Sequence, residues 1–414
     1  MFRAMITAAV SLVLAAAVCA VEGPNESIQT GRSEGFIYGT VDTRTGEHYT
    51  GVIRWGDEEF FWDDLFHSSK VDLPHAGYAE KPEEDPDATW WERMFTKIGG
   101  DLGVTRNTRV VAVRFGDLRR IDVTGSNDAV LTLRDGTELE VSGYSNDVGA
   151  TVHVRDADHG EVEVPWQKME TITFLAAPSD VDVGGFRIHG VVLTTAGEFT
   201  GFIQWDSQES LSTDVLDGDS DNTRVHLEMG RITSIERRDS RSARVVLDDG
   251  SELVLSGTND VNDDIRGIHV EDPRFGRVEI PWDEFHRVDF DRPGGSGRGY
   301  ADFAPIEHLS GGVTTKNGAH LEGRLVFDLD EEWSWEMLDG ELSGIDYTVP
   351  FGMVAGIEPE SPSESTVRLH SGAQLRLEDS HDVDHENDGV LVVSDGGDEP
   401  RYVPWRDVSR IDFH

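Results

Sequence analysis

The stretch Ile280-Pro281-Trp282-Asp283-Glu284-Phe285-His286-Arg287-Val288-Asp289-Phe290 contains the pattern that decides the fold. Its apolar residues Trp282, Phe285 and Val288 fall three apart. Residues three apart share one side of a 3₁₀ turn, so Trp282 and Phe285 are expected to face inward before Val288 enters a strand. The spacing recurs in Trp166/Met169/Ile172, Trp405/Val408/Ile411, Phe115/Leu118/Ile121, Met229/Ile232/Ile235 and Phe351/Val354/Ile357.

A β-hairpin precedes each of these triplets. In the first hairpin Gly46 marks the turn, and Gly51 opens a return strand that ends at Trp55. Glycine supplies the positive φ that such turns need. The same signal returns at Gly197 and Gly318, and a variant with a longer return strand has turns at Gly136, Gly250 and Gly372.

Hairpin and triplet together define a unit of about 50 residues in two alternating forms, which is typical of a repeat architecture. Units of the first form are predicted at 36–123, 186–238 and 308–359, and units of the second form at 127–175, 241–290 and 362–414. They combine into three pairs, 36–175, 186–290 and 308–414. Gly- and Pro-bearing linkers are expected at 176–185 and 291–307, after a flexible lead-in at 21–35.

The order of hairpin, further strands, tight turn and last short strand resembles the small SH3-like or Sm-like β-barrel. The resemblance covers nearly all of the chain after residue 35 and is one of architecture. It implies an all-β protein of tandem small barrels, six units in three pairs. A second interpretation is three larger β-sandwich or barrel domains, each built from one pair. An RNA-binding role, which Sm-like proteins imply, is contradicted by the acidity and the predicted export of this chain.

The first unit contains an insertion at 70–106. Apolar residues at helical spacing over 88–98, followed by Gly99-Gly100, predict one short amphipathic helix. This helix either covers a barrel edge or binds a partner through Trp90, Trp91 and Phe95.

Residues 1–20 resemble a signal peptide, with Arg3 before a short apolar run and small residues at the cleavage positions. The run is shorter than the roughly 20 apolar residues that cross a membrane as a helix. The chain is therefore expected to be exported to the periplasm or beyond, with no transmembrane segment when mature. Cys19 is the only cysteine, so a mature chain has no disulfide. Lipid anchoring through Cys19 is a lesser alternative.

The charge is strongly negative, with 80 acidic and 36 basic side chains and a formal net charge of −44. Such a surface repels nucleic-acid phosphates and anionic lipid head groups, which are bound by Lys and Arg. Nucleic acid is therefore excluded as a partner, and an envelope protein or a glycan is expected.

Two acidic loops have carboxylates at spacings that suit Ca²⁺, the only cofactor that the sequence suggests. Solvated acidic turns are the alternative, because Asn222 replaces the turn glycine in the first loop and Arg266 aligns with a ligand of the second. The candidate ligands are Asp217, Asp219, Asp221 and Glu228 in the first loop, and Asp384, Glu386, Asp388 and Asp395 in the second.

A short motif centred on an aspartate occurs three times, and each copy is expected to cap a turn through side-chain hydrogen bonds to nearby backbone N–H groups. The copies are Asn146-Asp147-Val148, Asn259-Asp260-Val261 and His381-Asp382-Val383. No carboxylate pair or nucleophile can be singled out for catalysis. The sequence therefore favours a non-catalytic binding or scaffolding module of the bacterial cell envelope. A calcium-dependent adhesion or stability module and a hydrolase of envelope polymers are the alternatives.

Overall fold

The structure is a computed structural model. It describes residues 33–79, 109–143, 147–292, 295–303, 305–394, 396 and 399–414. Over these residues the chain is all-β, and its helical elements are single 3₁₀ turns of three residues. No helix in this part of the chain has the length and apolar character needed to cross a membrane.

The first ten strands form one antiparallel sheet, hydrogen-bonded in the order β4-β3-β7-β6-β5-β10-β1-β2-β8-β9. These strands are β1 (Tyr38–Thr43), β2 (His48–Trp55), β3 (Leu65–Lys70), β4 (Arg109–Arg114), β5 (Leu118–Val123), β6 (Asp128–Leu133), β7 (Glu138–Ser142), β8 (Val152–Asp156), β9 (Gly160–Val164) and β10 (Met169–Phe174).

A second sheet contains the other twenty strands. Ten of them are β11 (His189–Thr194), β12 (Glu198–Trp205), β13 (Val215–Ser220), β14 (Thr223–Glu228), β15 (Ile232–Asp239), β16 (Ser242–Leu247), β17 (Glu252–Ser256), β18 (Ile268–Asp272), β19 (Gly276–Ile280) and β20 (Phe285–Asp291). The last ten are β21 (Ser310–Thr315), β22 (His320–Phe327), β23 (Met337–Leu342), β24 (Ile345–Pro350), β25 (Val354–Ser361), β26 (Glu364–Leu369), β27 (Gln374–Glu378), β28 (Val390–Val393), β29 (Arg401–Val403) and β30 (Val408–Phe413).

Each set of ten strands has the same pairings. For example, β1, β11 and β21 each lie between the hairpin partner that follows them and the last strand of their set. We refer to residues 36–174, 186–291 and 308–413 as the first, second and third lobes. The second and third lobes share a sheet because β19 pairs with β24.

The strands form large open sheets, and the expectation of six closed barrels is corrected here. The two predicted units of each pair are joined by the strands that follow their anchor triplets. In these joints the last triplet residues lie opposite each other: Ile121 with Ile172, Ile235 with Val288, and Ile357 with Ile411. A unit bounded at 36–123 or 127–175 therefore shares its sheet with its neighbour.

The expected inward packing of the triplets is confirmed. Trp282 is 2% exposed, and Phe285 and Val288 are fully buried. The Trp282 indole donates to the Asp239 carbonyl at 2.9 Å. The 3₁₀ turns span Ser33–Gly35, Ala76–Tyr78, Phe115–Asp117, Trp166–Lys168, Met229–Arg231, Asn259–Val261, Tyr300–Asp302, Phe351–Met353 and Trp405–Asp407, and five of them begin a triplet. At Trp282 the turn is closed by a 3.2 Å bond from the Phe285 N–H to the Trp282 carbonyl.

Several predictions fall outside the described residues: the signal peptide with Cys19, the helix at 88–98 with Trp90, Trp91 and Phe95, and the candidate ligand Asp395. The end of the predicted flexible lead-in is described. Ser33–Gly35 form a 3₁₀ turn in which Ser33 and Gly35 are buried. The Gly35 N–H donates to Ser296 Oγ at 3.0 Å, so this segment packs against the predicted linker 291–307.

Candidate functional site

One carboxylate in each lobe holds a loop and also faces a cation from another lobe. In the first lobe, one oxygen of Asp64 accepts the backbone N–H groups of Phe60 and Phe61. In the second lobe, one oxygen of Asp214 accepts those of Ser210 and Leu211. In the third lobe, one oxygen of Glu336 accepts those of Glu332 and Trp333. The other oxygen lies 3.6 Å from Arg277 for Asp64, 3.5 Å from Arg54 for Asp214 and 2.5 Å from Lys70 for Glu336. The three lobes are therefore joined by ion pairs at equivalent loops.

The junction of the first and second lobes centres on Arg187, which is 3% exposed. Its guanidinium donates to Asp63 at 2.7 Å. It lies between the rings of Phe61 and Phe202, at 4.0 and 4.4 Å from their centroids. A desolvated guanidinium between two ring faces gains cation–π attraction in addition to its ion pair.

A cavity of about 560 Å³ lies where the three lobes meet. This volume falls within the range of sites that bind small ligands. Its apolar lining includes Leu65, Phe202, Met337, Pro350 and Met353, and its charged lining includes Asp63, Arg114, Glu271, Arg277 and Arg298. The predicted linker 291–307 thus contributes to the cavity, a role that its Gly-rich sequence did not indicate.

Two arginines of this cavity share one aromatic ring. The guanidiniums of Arg298 and Arg114 lie 4.1 and 5.4 Å from the centroid of the Phe303 ring. This ring packs against Gly116, where an added Cβ would lie 2.2 Å from it. Burial, and after it the charge of Arg114, lowers the pKa of Arg298. No carboxylate of the described residues forms an ion pair with Arg298, whereas Arg114 is paired with Asp117 at 2.8 Å.

A smaller cavity of about 220 Å³ beside the junction is mainly polar. Glu58, Glu59, His67, His269 and Asp346 are among its lining residues. Burial, reinforced by Asp147 among other carboxylates, raises the pKa of Glu59 to about 10. Burial also lowers the pKa of His269. Both groups are therefore neutral at neutral pH, which reduces the charge that this region buries.

The central aspartates of the three motif copies accept backbone N–H groups as expected, but the N–H groups belong to a distant strand. Asp147, Asp260 and Asp382 accept the N–H groups of His67, Asp217 and Asp339 at 2.6, 2.6 and 2.7 Å. Each donor is the third residue of the third strand of its lobe, so the expectation of nearby partners is corrected. The side chains tie two parts of a lobe together because the turn is brought against that strand.

A glutamate accompanies each of these aspartates. Glu59, Glu209 and Glu331 each follow a buried aromatic residue by four positions, and each forms an isolated β-bridge with it, the aromatics being Trp55, Trp205 and Phe327. Burial is the largest cause of the raised pKa of each glutamate. The next largest cause is the charge of Asp147 for Glu59 and of Asp260 for Glu209. For Glu331 the charge of Asp330 comes next, followed by that of Asp382. The sequence offered a signal for this group, since Asp-x-x-Glu follows both Trp205 and Phe327, but the sequence reasoning missed it.

The third lobe brings these acids closest together. One oxygen each from Asp328, Glu331 and Asp382 lies within 4.8 Å of the other two. Burial raises the pKa of Asp328 to about 6, although His381 and Arg109 oppose this shift. Burial and neighbouring carboxylates also raise the pKa of Glu331 well above its usual value.

The first predicted calcium loop is a hairpin. Its turn residues Asp221 and Asn222 have φ values of 49° and 64°. Asp217 pairs with His226 at 2.6 Å and Asp219 with Arg224 at 2.8 Å. Glu228 lies opposite Val215, at the far end of the hairpin from Asp221. The structure therefore does not bring these four carboxylates together, because alternating residues of an extended strand spread along it.

The second predicted loop is divided between two roles. Asp384 accepts the Glu386 N–H at 2.7 Å within a turn. Asp388 lies near Asp328 and His381, a grouping that the sequence reasoning missed for want of a third ligand. The Arg109 guanidinium already occupies this place, 2.6 Å from Asp388.

Comparisons with known proteins give no family. No family model matches the chain, and no curated protein matches it. Among solved structures, a streptogramin B lyase is similar at 9% identity with a TM-score of 0.11, over 85% of this chain and 99% of that chain. A likeness of this size carries no argument about fold or function.

Proposed function

We propose that this chain is a non-catalytic, exported, acidic β-repeat protein that acts as a binding or scaffolding module of the bacterial cell envelope. The observation that carries the proposal is the 560 Å³ cavity at the junction of the lobes. Ligand sites of this size at domain junctions combine apolar walls with a few polar groups that orient the ligand. Here Arg298 is the orienting group, because its guanidinium has no carboxylate partner among the described residues.

The paired-unit organisation supports a scaffold. Each lobe consists of two hairpin-and-triplet units, giving six units in three pairs. The corresponding strand pairings of the lobes support this description. Export rests on the apolar start of the chain, which resembles a signal peptide.

The ion pairs around the cavity support binding rather than hydrolysis. Among the lining carboxylates, Asp63 is held by Arg187 at 2.7 Å, and Glu271 by Arg277 at 3.1 Å. Acid–base hydrolysis of a glycoside needs two carboxylates that face the substrate with different protonation states. Both carboxylates are engaged by an arginine instead of being free to face a substrate, although burial, opposed by Arg277, raises the pKa of Glu271 to about 7.

A capture experiment tests the proposal. The mature chain is immobilised, exposed to an envelope extract and washed, and bound material is identified by mass spectrometry. Arg298→Glu should lose the material that the wild type retains. Arg376→Glu is the matched control, since that side chain is 64% exposed and pairs with Glu364 at 3.1 Å on the surface.

Retention by Arg376→Glu together with loss by Arg298→Glu supports the cavity as the binding site. If the wild type retains nothing specific, or if Arg298→Glu retains the same material, the proposal fails.

A further inference from the structure

We propose that Asp328, Glu331 and Asp382 in the third lobe form a binding site for a hard divalent cation, with Ca²⁺ as the best match. One oxygen from each residue lies within 4.8 Å of the other two. Ligands at about 2.4 Å from a common Ca²⁺ are separated by no more than about twice that distance. The three oxygens are therefore already placed around one centre, and water can complete the coordination.

The side chain that points to a ligand is Glu331. It is only 9% exposed, and its Oε2 has no hydrogen-bond partner among the described residues. A buried carboxylate oxygen without a partner is costly unless a proton or a cation neutralises it. One Glu331 oxygen lies within 4.8 Å of an oxygen of each of the other two carboxylates, so a cation bound between them would contact all three.

Among the described residues, the nearby basic groups contact Asp328 and acids outside the site, but not Glu331 or Asp382. Lys70 lies 2.5 Å from Glu336 and 3.3 Å from Asp330. Arg109 contacts Asp328, Asp330 and Asp388. Over the described part of the chain, no Lys, Arg or His lies within ion-pair distance of Glu331 or Asp382.

The donor set also leaves oxygens free for a cation. Asp382 accepts the Asp339 N–H through Oδ2, which leaves Oδ1 for a ligand. Both Asp328 oxygens accept hydrogen bonds, from the Asp388 N–H and from Arg109 and His381. A carboxylate oxygen has two lone pairs, so Asp328 can bind a cation while it keeps these contacts.

The second lobe has the same residue types and serves as an internal control. Asp206, Glu209 and Asp260 correspond to the three proposed ligands. Arg266 donates to Asp206 from its backbone at 2.6 Å and from its guanidinium at 2.5 Å. Among the described residues, these three are not one of the groups whose oxygens converge within 4.8 Å.

Calcium titration calorimetry on the mature chain tests the site. The wild type is compared with Glu331→Gln and with Glu209→Gln, after circular dichroism has verified that both variants fold. We expect saturable Ca²⁺ binding, an affinity reduced at least about tenfold in Glu331→Gln, and an unchanged affinity in Glu209→Gln.

The proposal is overturned if the wild type shows no saturable Ca²⁺ binding or if Glu331→Gln binds as tightly as the wild type. Should Glu331→Gln not fold, Asp382→Asn replaces it. That variant keeps an oxygen for the Asp339 N–H but removes a ligand charge, and the same weakening is expected. Equal weakening in Glu209→Gln would also contradict the site, because it would indicate a general effect of acidic charge.

Discussion

The turn after Trp205 in the second lobe and the turn after Phe327 in the third lobe have the same Asp-x-x-Glu residues but different sources of positive charge. Asp206 is neutralised by Arg266 of its own lobe. Asp328 is neutralised by Arg109, which comes from the first lobe. The second lobe therefore neutralises its aspartate alone, whereas the third depends on a neighbour. Glu209 and Glu331 both keep a buried Oε2 without a hydrogen-bond partner among the described residues. This difference teaches that an equivalent turn can serve local stability in one lobe and assembly in another.

The largest expected effect comes from the buried cation that joins the first and third lobes. Burial alone would lower the pKa of Lys70, but Glu336 and Asp330 raise it, so the lysine is charged. Lys70→Met leaves these two acids without a cation and should cost about 3–5 kcal/mol of unfolding free energy. Urea denaturation measures the loss.

Arg54→Met is the matched control for Lys70→Met, because Arg54 pairs with Asp214 at 3.5 Å and is 26% exposed. Its cost should stay within about 1 kcal/mol. Equal costs for the two variants would mean that the third lobe is no more dependent on the first lobe than the second is.

Arg109 and Arg266 should also differ in how much they contribute to the free energy of unfolding. Arg109→Ala removes a cation that is 19% exposed and contacts three acids, and we expect a loss of about 2 kcal/mol. Arg266 is 41% exposed, so solvent screening should limit the loss for Arg266→Ala to below about 1 kcal/mol. Urea denaturation midpoints of both variants measure these losses. A larger loss for Arg266→Ala than for Arg109→Ala would contradict the local role of Arg266 and the inter-lobe role of Arg109.

A smaller effect is expected from the aromatic residue before each turn. The Trp205 indole donates to the Asp260 carbonyl at 2.9 Å. Phe327 has no such donor, and the Asn387 amide donates to the Asp382 carbonyl at 3.1 Å instead. Trp205→Phe should therefore cost about 1–2 kcal/mol through an unpaired buried carbonyl.

Ile265 follows Asp260 by five positions, as Asn387 follows Asp382. The substitution Ile265→Asn therefore supplies the second lobe with the amide that the third lobe uses. In the Trp205→Phe background it should recover part of the lost thermal stability. If stability does not recover, the carbonyls of Asp260 and Asp382 are hydrogen-bonded in different ways.

The last expected effect concerns pH. Burial, and then Asp260 and Asp206, raises the pKa of Glu209 from 4.5 to about 9. The folded chain therefore keeps a proton that the unfolded chain releases between these values, and stability falls as the pH rises through this window. Glu209→Gln should flatten this fall with and without Ca²⁺. Glu331→Gln should flatten it only without Ca²⁺, because a bound cation replaces the proton. Urea midpoints across the pH range provide the measurement, and a wild-type slope in Glu209→Gln would contradict the prediction.

Much of the fold could be predicted from local patterns. Alternating strands, glycine turns and the spacing of Trp282, Phe285 and Val288 are consequences of side-chain periodicity, so they are visible in the sequence. The open sheets were missed because they depend on which strands meet. The pairing of Ile235 with Val288 joins two units across more than 50 positions, and both are ordinary apolar residues.

The candidate sites were predicted less well, for a related reason. Alternating carboxylates such as Asp217 and Asp219 look like cation ligands, but an extended strand spreads them apart. The grouping of Asp328 and Glu331 with Asp382 could not be predicted, because Asp382 is more than 50 positions away in the sequence. Arg298 lies in a predicted linker, and nothing in the local sequence indicates that it lines a cavity.

A crystal structure grown with Ca²⁺ is the most direct test of the difference between the lobes. We predict a metal peak in contact with Asp328, Glu331 and Asp382 and no peak at Asp206, Glu209 and Asp260. Glu331 hydrogen-bonded directly to Asp382, without a metal between them, would show that a shared proton neutralises the pair and would contradict the proposed site.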